Sequence, residues 1–291
     1  MRFAIVGNTD KPALRQAVPK LLEKLDSTGT EYVIDRKILN LLPDAPLSGK
    51  DHGCDFDQCI EKSDVLIAFG GDGTILAAAR SVGGRGTPIL GINLGKLGFL
   101  AEVAPEGMQE AIGDILNNKF YIEDRLVLEA SSPSIPGRLL HAVNDIVVDK
   151  SRSSRVIDIE MHIDGAYAVT YRGDGLIVST PTGSTAYALS NGGPIVTPAS
   201  LVIGITPISP HTLSGRPIIV PDTSSIRIIV QADSDEVLIS ADGQMESFVR
   251  PPIEVRVKKA PYPVRLVKRM DTTYFDVLRA KLLWGRNPKG S

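Results

Sequence analysis

Short apolar runs alternate with helical periodicity over the first 120 or so residues of the chain. RFAIVG (2–7) is an apolar run closed by glycine, and a helical pattern follows over Pro12–Leu25. EYVIDR reads as a strand and DQCIEKS as a short helix leading into DVLIAFGG. A helix over Thr74–Val82, a strand PILGIN (88–93) and a helix over Pro105–Leu116 complete the series. Strands alternating with helices predict a parallel sheet with crossover helices. A continuous run such as VLIAF fits a strand buried on both faces. Residues 42–55 form the clearest long loop.

The texture changes near Phe120. YIEDRLVLEAS, LLHAVNDIVVD, VIDIEMHID, AYAVTYRGDGLIVST, ASLVIGITPIS, RPIIVP, SIRIIVQA, EVLISADGQ and IEVRVKKA follow one another with turn residues between them. Val and Ile dominate, several runs alternate in polarity, and helical spacing is scarce. This predicts an all-β domain, a sandwich or an irregular barrel. TTYFDVLRAKLLW then returns to helical spacing. The expected organisation is an α/β domain over 1–119 with a Rossmann-like parallel sheet, a sandwich-like all-β domain over 120–266, and a segment 267–291 whose helix docks back on the first domain.

Composition narrows the class without naming it. At 291 residues, with 43% apolar and 23% charged side chains, the chain reads as an ordinary globular protein of one large or two moderate domains. A net charge of −2 carries no electrostatic footprint for nucleic acid or an anionic membrane. No apolar run approaches the roughly 20 residues of a transmembrane helix. MRFAIVGNTD reads as a first strand rather than a signal peptide. Cys54 and Cys59 are too few for a disulfide framework or a zinc site and are expected as reduced thiols in a cytoplasmic protein.

Candidate chemistry begins at GGDGT (70–74). The glycines let backbone approach a ligand closely, and a helix starting near Thr74 offers free amides to a phosphate. Common phosphate loops are missing: IVGNTD has no G-x-G-x-x-G, and GINLGK is one residue short of a Walker A loop. Asp72, a carboxylate among phosphate-facing amides, would orient a metal ion, accept a proton from an attacking hydroxyl, or simply cap the helix.

A second dense stretch is YRGDGLIVSTPTGSTAYALSNGGP (171–194). Thr180, Thr182, Ser184 and Thr185 supply hydroxyls beside glycines and Tyr187, which suits a ligand loop better than a plain β connection. Asn144-Asp145 interrupts a strand pattern although both types are poor strand formers, so a bulge or a site must account for it. His211 and Arg216 sit in a proline-flanked loop. Asp242-Gly243, between EVLISA and QMESFV, is a hairpin signal.

Taken in order, GGDGT (70–74), NLGKLGFL (93–100), ND (144–145), GDGLIVSTPTGSTAYALSNGGP (173–194) and PHTLSGRP (210–217) resemble the NAD kinase family over nearly the whole chain. The resemblance implies transfer of the γ-phosphoryl of ATP to the 2′-hydroxyl of the adenosine ribose of NAD, with Mg²⁺ or another divalent ion. Asp72 would be the general base or metal-orienting carboxylate, and Gly71, Gly73 and Thr74 would frame the phosphate path. Phe99 would line the NAD pocket, Asn144 and Asp145 would hold the adenosine portion, and Asp174, Thr182, Thr185, Ala186 and Tyr187 would complete the dinucleotide site. Arg172 would bias the donor toward ATP over inorganic polyphosphate. No residue is assigned to a metal. Many members carry Asn-Glu where this chain has Asn-Asp, which shortens the carboxylate's reach by one methylene. Assembly as a homodimer or homotetramer, with a neighbouring subunit contributing to the NAD site, is also implied.

Other readings are a lipid kinase sharing GGDGT and a non-catalytic dinucleotide-binding sensor. The first lacks an amphipathic or basic membrane segment and leaves TPTGSTAY without a role. The second gains little from a carboxylate facing phosphates. A dehydrogenase is disfavoured by the missing G-x-G-x-x-G.

Overall fold

The structure, a computed structural model, describes residues 1–42, 52–212, 214–233 and 236–283. Most of the loop expected over 42–55 and the end of the C-terminal segment lie outside the described residues. The chain divides into two compact units, one made of Met1–Asp124 with Arg265–Ser291, the other of Arg125–Val264.

The first unit opens with β1 (Arg2–Gly7), α1 (Leu14–Ser27), β2 (Glu31–Asp35), α2 (Arg36–Leu39), β3 (Gly53–Cys54), α3 (Phe56–Glu61), β4 (Val65–Gly70), α4 (Asp72–Val82), β5 (Ile89–Asn93), α5 (Met108–Leu116) and β6 (Phe120–Arg125). Leu14, Val18, Leu21, Leu22 and Leu25 recur at helical spacing on α1 and are all buried. Every residue of β4 is buried, as its unbroken apolar run requires of a strand covered on both faces. The segment 105–116 divides into a 3-10 turn over Pro105–Gly107 and α5.

The second unit contains β7 (Leu128–Ser131), β8 (Leu140–Ala142), β9 (Asp145–Asp149), β10 (Ile157–Ile163), β11 (Ala166–Gly173), β12 (Gly175–Ser179), α6 (Tyr187–Ser190), β13 (Val202–Ile208), β14 (Ile218–Pro221), β15 (Ile226–Gln231), β16 (Val237–Ala241), β17 (Met245–Val249) and β18 (Ile253–Lys259). They form two six-stranded sheets, ordered β11-β10-β15-β18-β7-β8 and β14-β13-β12-β9-β16-β17. Ile159, Met161, Ile228 and Val255 from one sheet share a core with Ile146, Val148, Leu176 and Ile205 from the other. The unit is a β-sandwich.

The chain then returns to the first unit as β19 (Val264–Arg269) and α7 (Tyr274–Leu282), the latter opened by a Thr273–Asp276 capping box. β19 lies parallel to β5, giving the first sheet the order β3-β2-β1-β4-β5-β19-β6. β6 therefore belongs to this sheet although its sequence shares the texture of the β domain.

One expectation is overturned. Cys54 and Cys59 are not free thiols: they are joined by a disulfide, with Cα atoms 5.7 Å apart. Cys54 ends β3 and Cys59 lies one helical turn into α3, both buried, so the five-residue separation closes on itself.

Candidate active site

In the first sheet, β1 is followed by β2 on one side, whereas β4 is followed by β5 on the other. Such a reversal leaves a crevice outside the carboxyl ends of the two central strands, where open α/β sheets hold ligands. A pocket of about 460 Å³ lies there. Gly7, Asn8 and Lys11 line it from the β1 side, and Gly71, Gly73 and Thr74 from the β4–α4 turn. The Asn8 amide donates to the Phe69 carbonyl at 2.8 Å and ties the two strand ends together.

Asp72 is the first residue of α4, two positions earlier than the sequence pattern places the helix start. Its carboxylate reaches across to the loop after β5. Oδ2 accepts from the Phe99 amide at 2.8 Å, and Oδ1 accepts from the Leu100 and Ala101 amides at 3.0 and 3.1 Å. A carboxylate has about four acceptor sites, and these bonds occupy three of them. Asp72 thus fastens the GGDGT turn to NLGKLGFL.

The same loop is held from two further sides. Asn93 donates to the carbonyls of Lys96 and Ala101, at 2.7 and 3.1 Å, and its Oδ1 accepts from the Gly95 amide at 2.8 Å. From α7, the Lys281 ammonium donates to the Leu97 carbonyl at 2.6 Å and stands 5.6 Å over the ring of Phe99. Phe99 itself is buried.

In the second unit the dipeptide Asn144-Asp145 marks the entry to β9. The interruption read in the sequence is real, since β8 ends at Ala142 and β9 begins at Asp145. Asp242, in the turn after β16, fills the gap. One oxygen accepts from the Asn144 and Asp145 amides at 2.7 and 3.2 Å, and the other from the Val143 amide at 3.0 Å. Asp242 adopts φ +54°, as a hairpin turn requires, yet its side chain serves the site. Burial, with the Asp242 charge adding to it, pushes the Asp145 carboxyl up to about 7.

The hydroxyl-rich stretch is laced onto the same place. It is not an open loop but a 3-10 turn, Thr182–Thr185, followed by α6. Thr180 Oγ1 donates to the Val143 carbonyl at 2.5 Å, and the Thr180 amide donates to the Asn144 carbonyl at 2.8 Å. Thr180 Oγ1 also accepts from the Gly183 amide at 3.0 Å. Gly183 lies so close that a β-carbon there would stand 2.0 Å from the Asn144 carbonyl oxygen.

Alternation along β9 explains the rest. Ile146 and Val148 point into the sandwich core, which leaves Asp145, Val147 and Asp149 on the opposite face. Ala188 of α6 covers that face against Val147, Ile177 and Ile208. Tyr187 is exposed beside it, and its hydroxyl is pushed up by burial and by the charges of Asp149, Asp174 and Asp145. Asp149 is itself raised, chiefly by burial, and Asp174 pairs with Lys150 at 2.7 Å. Thr182 is buried and accepts from Arg125 at 3.2 Å, while Thr185 donates to the Thr182 carbonyl at 3.0 Å.

Arg172 is not drawn into this cluster. It lies on β11, exposed, 3.7 Å from Asp158, and lines a groove with Gln231 and Pro252. The His211 amide donates to the Arg172 carbonyl, and Tyr171 donates to the Arg216 carbonyl at 3.3 Å, so His211 and Arg216 are both tied to β11. Asp242, Arg125 and Asn93 were not singled out for the site by sequence reasoning. Asn93 opens the quoted NLGKLGFL stretch, and Asp242 carried a turn signal that explained its residue type.

Residues 3–120 match the ATP-NAD kinase N-terminal domain, and residues 143–269 match the ATP-NAD kinase C-terminal domain. The chain is 40% identical to the NAD kinase of Bacteroides fragilis over 298 residues, covering 99% of this chain and 100% of that one. It is 41% identical to the NAD kinase of Moorella thermoacetica over 286 residues, covering 98% and 90% respectively. The chain belongs to the ATP-NAD kinase family. Among solved structures it resembles yeast NADH kinase complexed with NADH, with a TM-score of 0.87 at 27% identity over 100% of this chain and 89% of that one. An Archaeoglobus fulgidus NAD kinase in complex with ATP gives a TM-score of 0.73 at 27% identity, over 96% and 99%.

The two matched domains divide the candidate residues between them. Gly71, Asp72, Gly73, Thr74 and Phe99 fall within the N-terminal match, and Asn144, Asp145, Asp174, Thr182, Thr185, Ala186 and Tyr187 within the C-terminal one. Among the described residues no group of three or more His, Cys, Asp or Glu side chains is placed to hold a metal ion. No helix among them is long and apolar enough to cross a membrane.

Proposed function

We propose that the chain is an NAD kinase that transfers the γ-phosphoryl of ATP to the 2′-hydroxyl of the adenosine ribose of NAD. The ribose oxygen bonds to the γ-phosphorus as the bond to the β–γ bridging oxygen breaks, giving NADP and ADP, and the hydroxyl proton passes to a carboxylate. Positioning and charge neutralisation supply most of the acceleration in such transfers, with a general base adding about 10²–10⁴-fold.

Asp72 is the carboxylate we assign to that proton. Three backbone amides fix its orientation and leave one acceptor position open. Gly71, Gly73 and Thr74, which line the pocket, frame the phosphate path. Phe99 lines the NAD side of the loop that Asp72 holds. Asn144 and Asp145 take the adenosine portion, and Asp174, Thr182, Thr185, Ala186 and Tyr187 complete the dinucleotide surface. Arg172 is left out, because its guanidinium neighbours Asp158 in a separate groove.

The divalent ion belongs to the substrate. Mg²⁺ keeps most of its waters and is carried on phosphates with one or two carboxylates, which fits a protein whose described residues offer no ready-made cage. Assembly as a homodimer or homotetramer is supported by apolar side chains on edge strands, Ile219 on β14 and Phe248 on β17, exposed at 43% and 48%. A cytoplasmic location is part of the same reading.

The observation that carries the assignment is the bonding of the TPTGSTAY turn to Val143 and Asn144, which gathers the hydroxyl-rich turn and the Asn144-Asp145 dipeptide into one polar surface suited to a dinucleotide. Purified protein supplied with ATP and Mg²⁺ should consume NAD in preference to diacylglycerol. Phosphatidic acid forming instead of NADP would favour the lipid-kinase reading.

A further inference from the structure

The three amides that Asp72 collects, those of Phe99, Leu100 and Ala101, lie between two attachments to the C-terminal segment. Before them, the Lys281 ammonium donates to the Leu97 carbonyl at 2.6 Å. After them, the Lys268 ammonium donates to the Glu102 carboxylate, with Glu123 of β6 3.7 Å away. The two lysines come from α7 and β19, so one returning stretch of chain holds the loop at both ends.

The attachments differ in kind. Lys268 is buried and Glu102 nearly so, and removing one partner of such a pair strands a charge away from water. That pair is an anchor of the fold. Lys281 is exposed on the last turn of α7, where a lysine is ordinarily left to solvent. Its direction is set by the helix. The capping box fixes the start of α7, and the buried Val277 and Leu278 lie one turn earlier on the side that Lys281 shares. The ammonium then makes a charge-assisted bond to Leu97 and stands 5.6 Å over the ring of Phe99, within cation–π range. Phe99 is also the residue whose amide meets Asp72 Oδ2, so both faces of its role pass through Lys281.

We propose that Lys281 is a positioning residue for the Asp72 centre: it holds Leu97 and the Phe99 ring so that the three amides stay aimed at the Asp72 carboxylate. It acts through the loop and not on the reacting atoms. The role rests on the NAD kinase reading for the reaction that the loop serves. A loop released at one end shifts Asp72 and Phe99 together, so the loss falls on kcat and on NAD and spares ATP.

Three substitutions test this. Lys281→Met keeps the aliphatic stem and removes the ammonium, Lys281→Arg keeps the charge, and Lys281→Cys lets the charge be restored in the same protein. Alkylation of the introduced thiol with bromoethylamine forms a carbon–sulfur bond, releases bromide and leaves a lysine-like ammonium. Cys54 and Cys59, the chain's two cysteines, are joined and buried, so the introduced thiol reacts alone. Lys281→Met should lower kcat/KM for NAD at least about fivefold, keep the KM for ATP within about twofold of wild type and melt like wild type. Lys281→Arg should retain most of the activity, and alkylation of Lys281→Cys should recover most of its loss. Independently of turnover, hydrogen exchange over 97–102 should be about tenfold faster in Lys281→Met and slow again in the alkylated protein. Wild-type kinetics and exchange in Lys281→Met would overturn the proposal, as would equal losses toward ATP and NAD. If Lys281→Met does not fold, Lys281→Cys decides: activity and exchange unaltered by alkylation overturn it. A wild type that makes no NADP while exchange responds to Lys281 as described would remove the kinase reading and leave the loop clamp standing.

Discussion

Gly98 lies so close to Asp72 that a β-carbon at position 98 would stand 1.9 Å from Oδ1. The approach is possible only because Gly98 has no side chain, and it lets one carboxylate collect the amides of Phe99, Leu100 and Ala101. Gly98→Ala should therefore push the loop away from Asp72 and lower kcat at least about tenfold, as a displaced catalytic group does. The far-ultraviolet spectrum should stay that of the wild type. Steady-state kinetics beside circular dichroism checks this, and full activity in the alanine variant would mean that the Asp72 tie has no part in catalysis.

Gly183 makes the matching approach in the second unit, to the Asn144 carbonyl. Gly183→Ala should separate the 3-10 turn from Asn144 and weaken NAD rather than ATP. The expected result is a KM for NAD raised about tenfold or more with the KM for ATP near wild type. Equal loss toward both substrates would contradict the division of roles between the two loops.

Asp145 should make stability fall as pH rises. Burial, with the Asp242 charge adding to it, pushes its folded carboxyl up to about 7, well above the ordinary carboxylate range, so between about pH 4 and pH 7 the folded state holds a proton that the unfolded chain has released. The group's cost is absent below about pH 4, grows through the window and is complete above pH 7. Urea melts at pH 5 and pH 7.5 should show Asp145→Asn losing less stability than wild type over that interval, by a few kcal/mol at most. Parallel losses in both proteins would show that Asp145 is not the titrating group.

The Cys54–Cys59 bond should be measurable in the purified protein and should stabilise it. Thiol titration of the unfolded, unreduced protein should find no free thiol. Cys59→Ser should lower stability by about 2 kcal/mol, the order expected for so short a closed loop. Two free thiols in protein purified without reductant would contradict the pairing.

The sequence made the architecture readable where the pattern was local. The change from helical to alternating spacing near Phe120 separates the two kinds of layer, and the Asp242-Gly243 turn correctly joins β16 to β17. β19 was not readable as part of the first sheet. VRLVKR alternates like the strands before it, and its partner Ile89 lies far back in the chain. For the same reason the candidate residues singled out by motif, such as Asp72 and Thr182, came without their partners. The amides that Asp72 gathers are 27 to 29 positions away, and those that Asp242 gathers are 97 to 99 positions away. Side-chain reach across such distances leaves no periodic trace. Asp242 shows the limit clearly, because a turn accounts for its residue type and conceals its second task.

The most direct test of the central claim follows the phosphoryl group itself. Wild type and Asp72→Asn are each incubated with NAD, Mg²⁺ and ATP labelled at the γ-phosphate, and the label on the dinucleotide is located by phosphatase release and phosphorus NMR. The expected result is label on the 2′-oxygen of the adenosine ribose in the wild type, with the rate reduced about 10²–10⁴-fold in Asp72→Asn. A wild type that leaves NAD unlabelled while ATP is intact or merely hydrolysed would contradict the account.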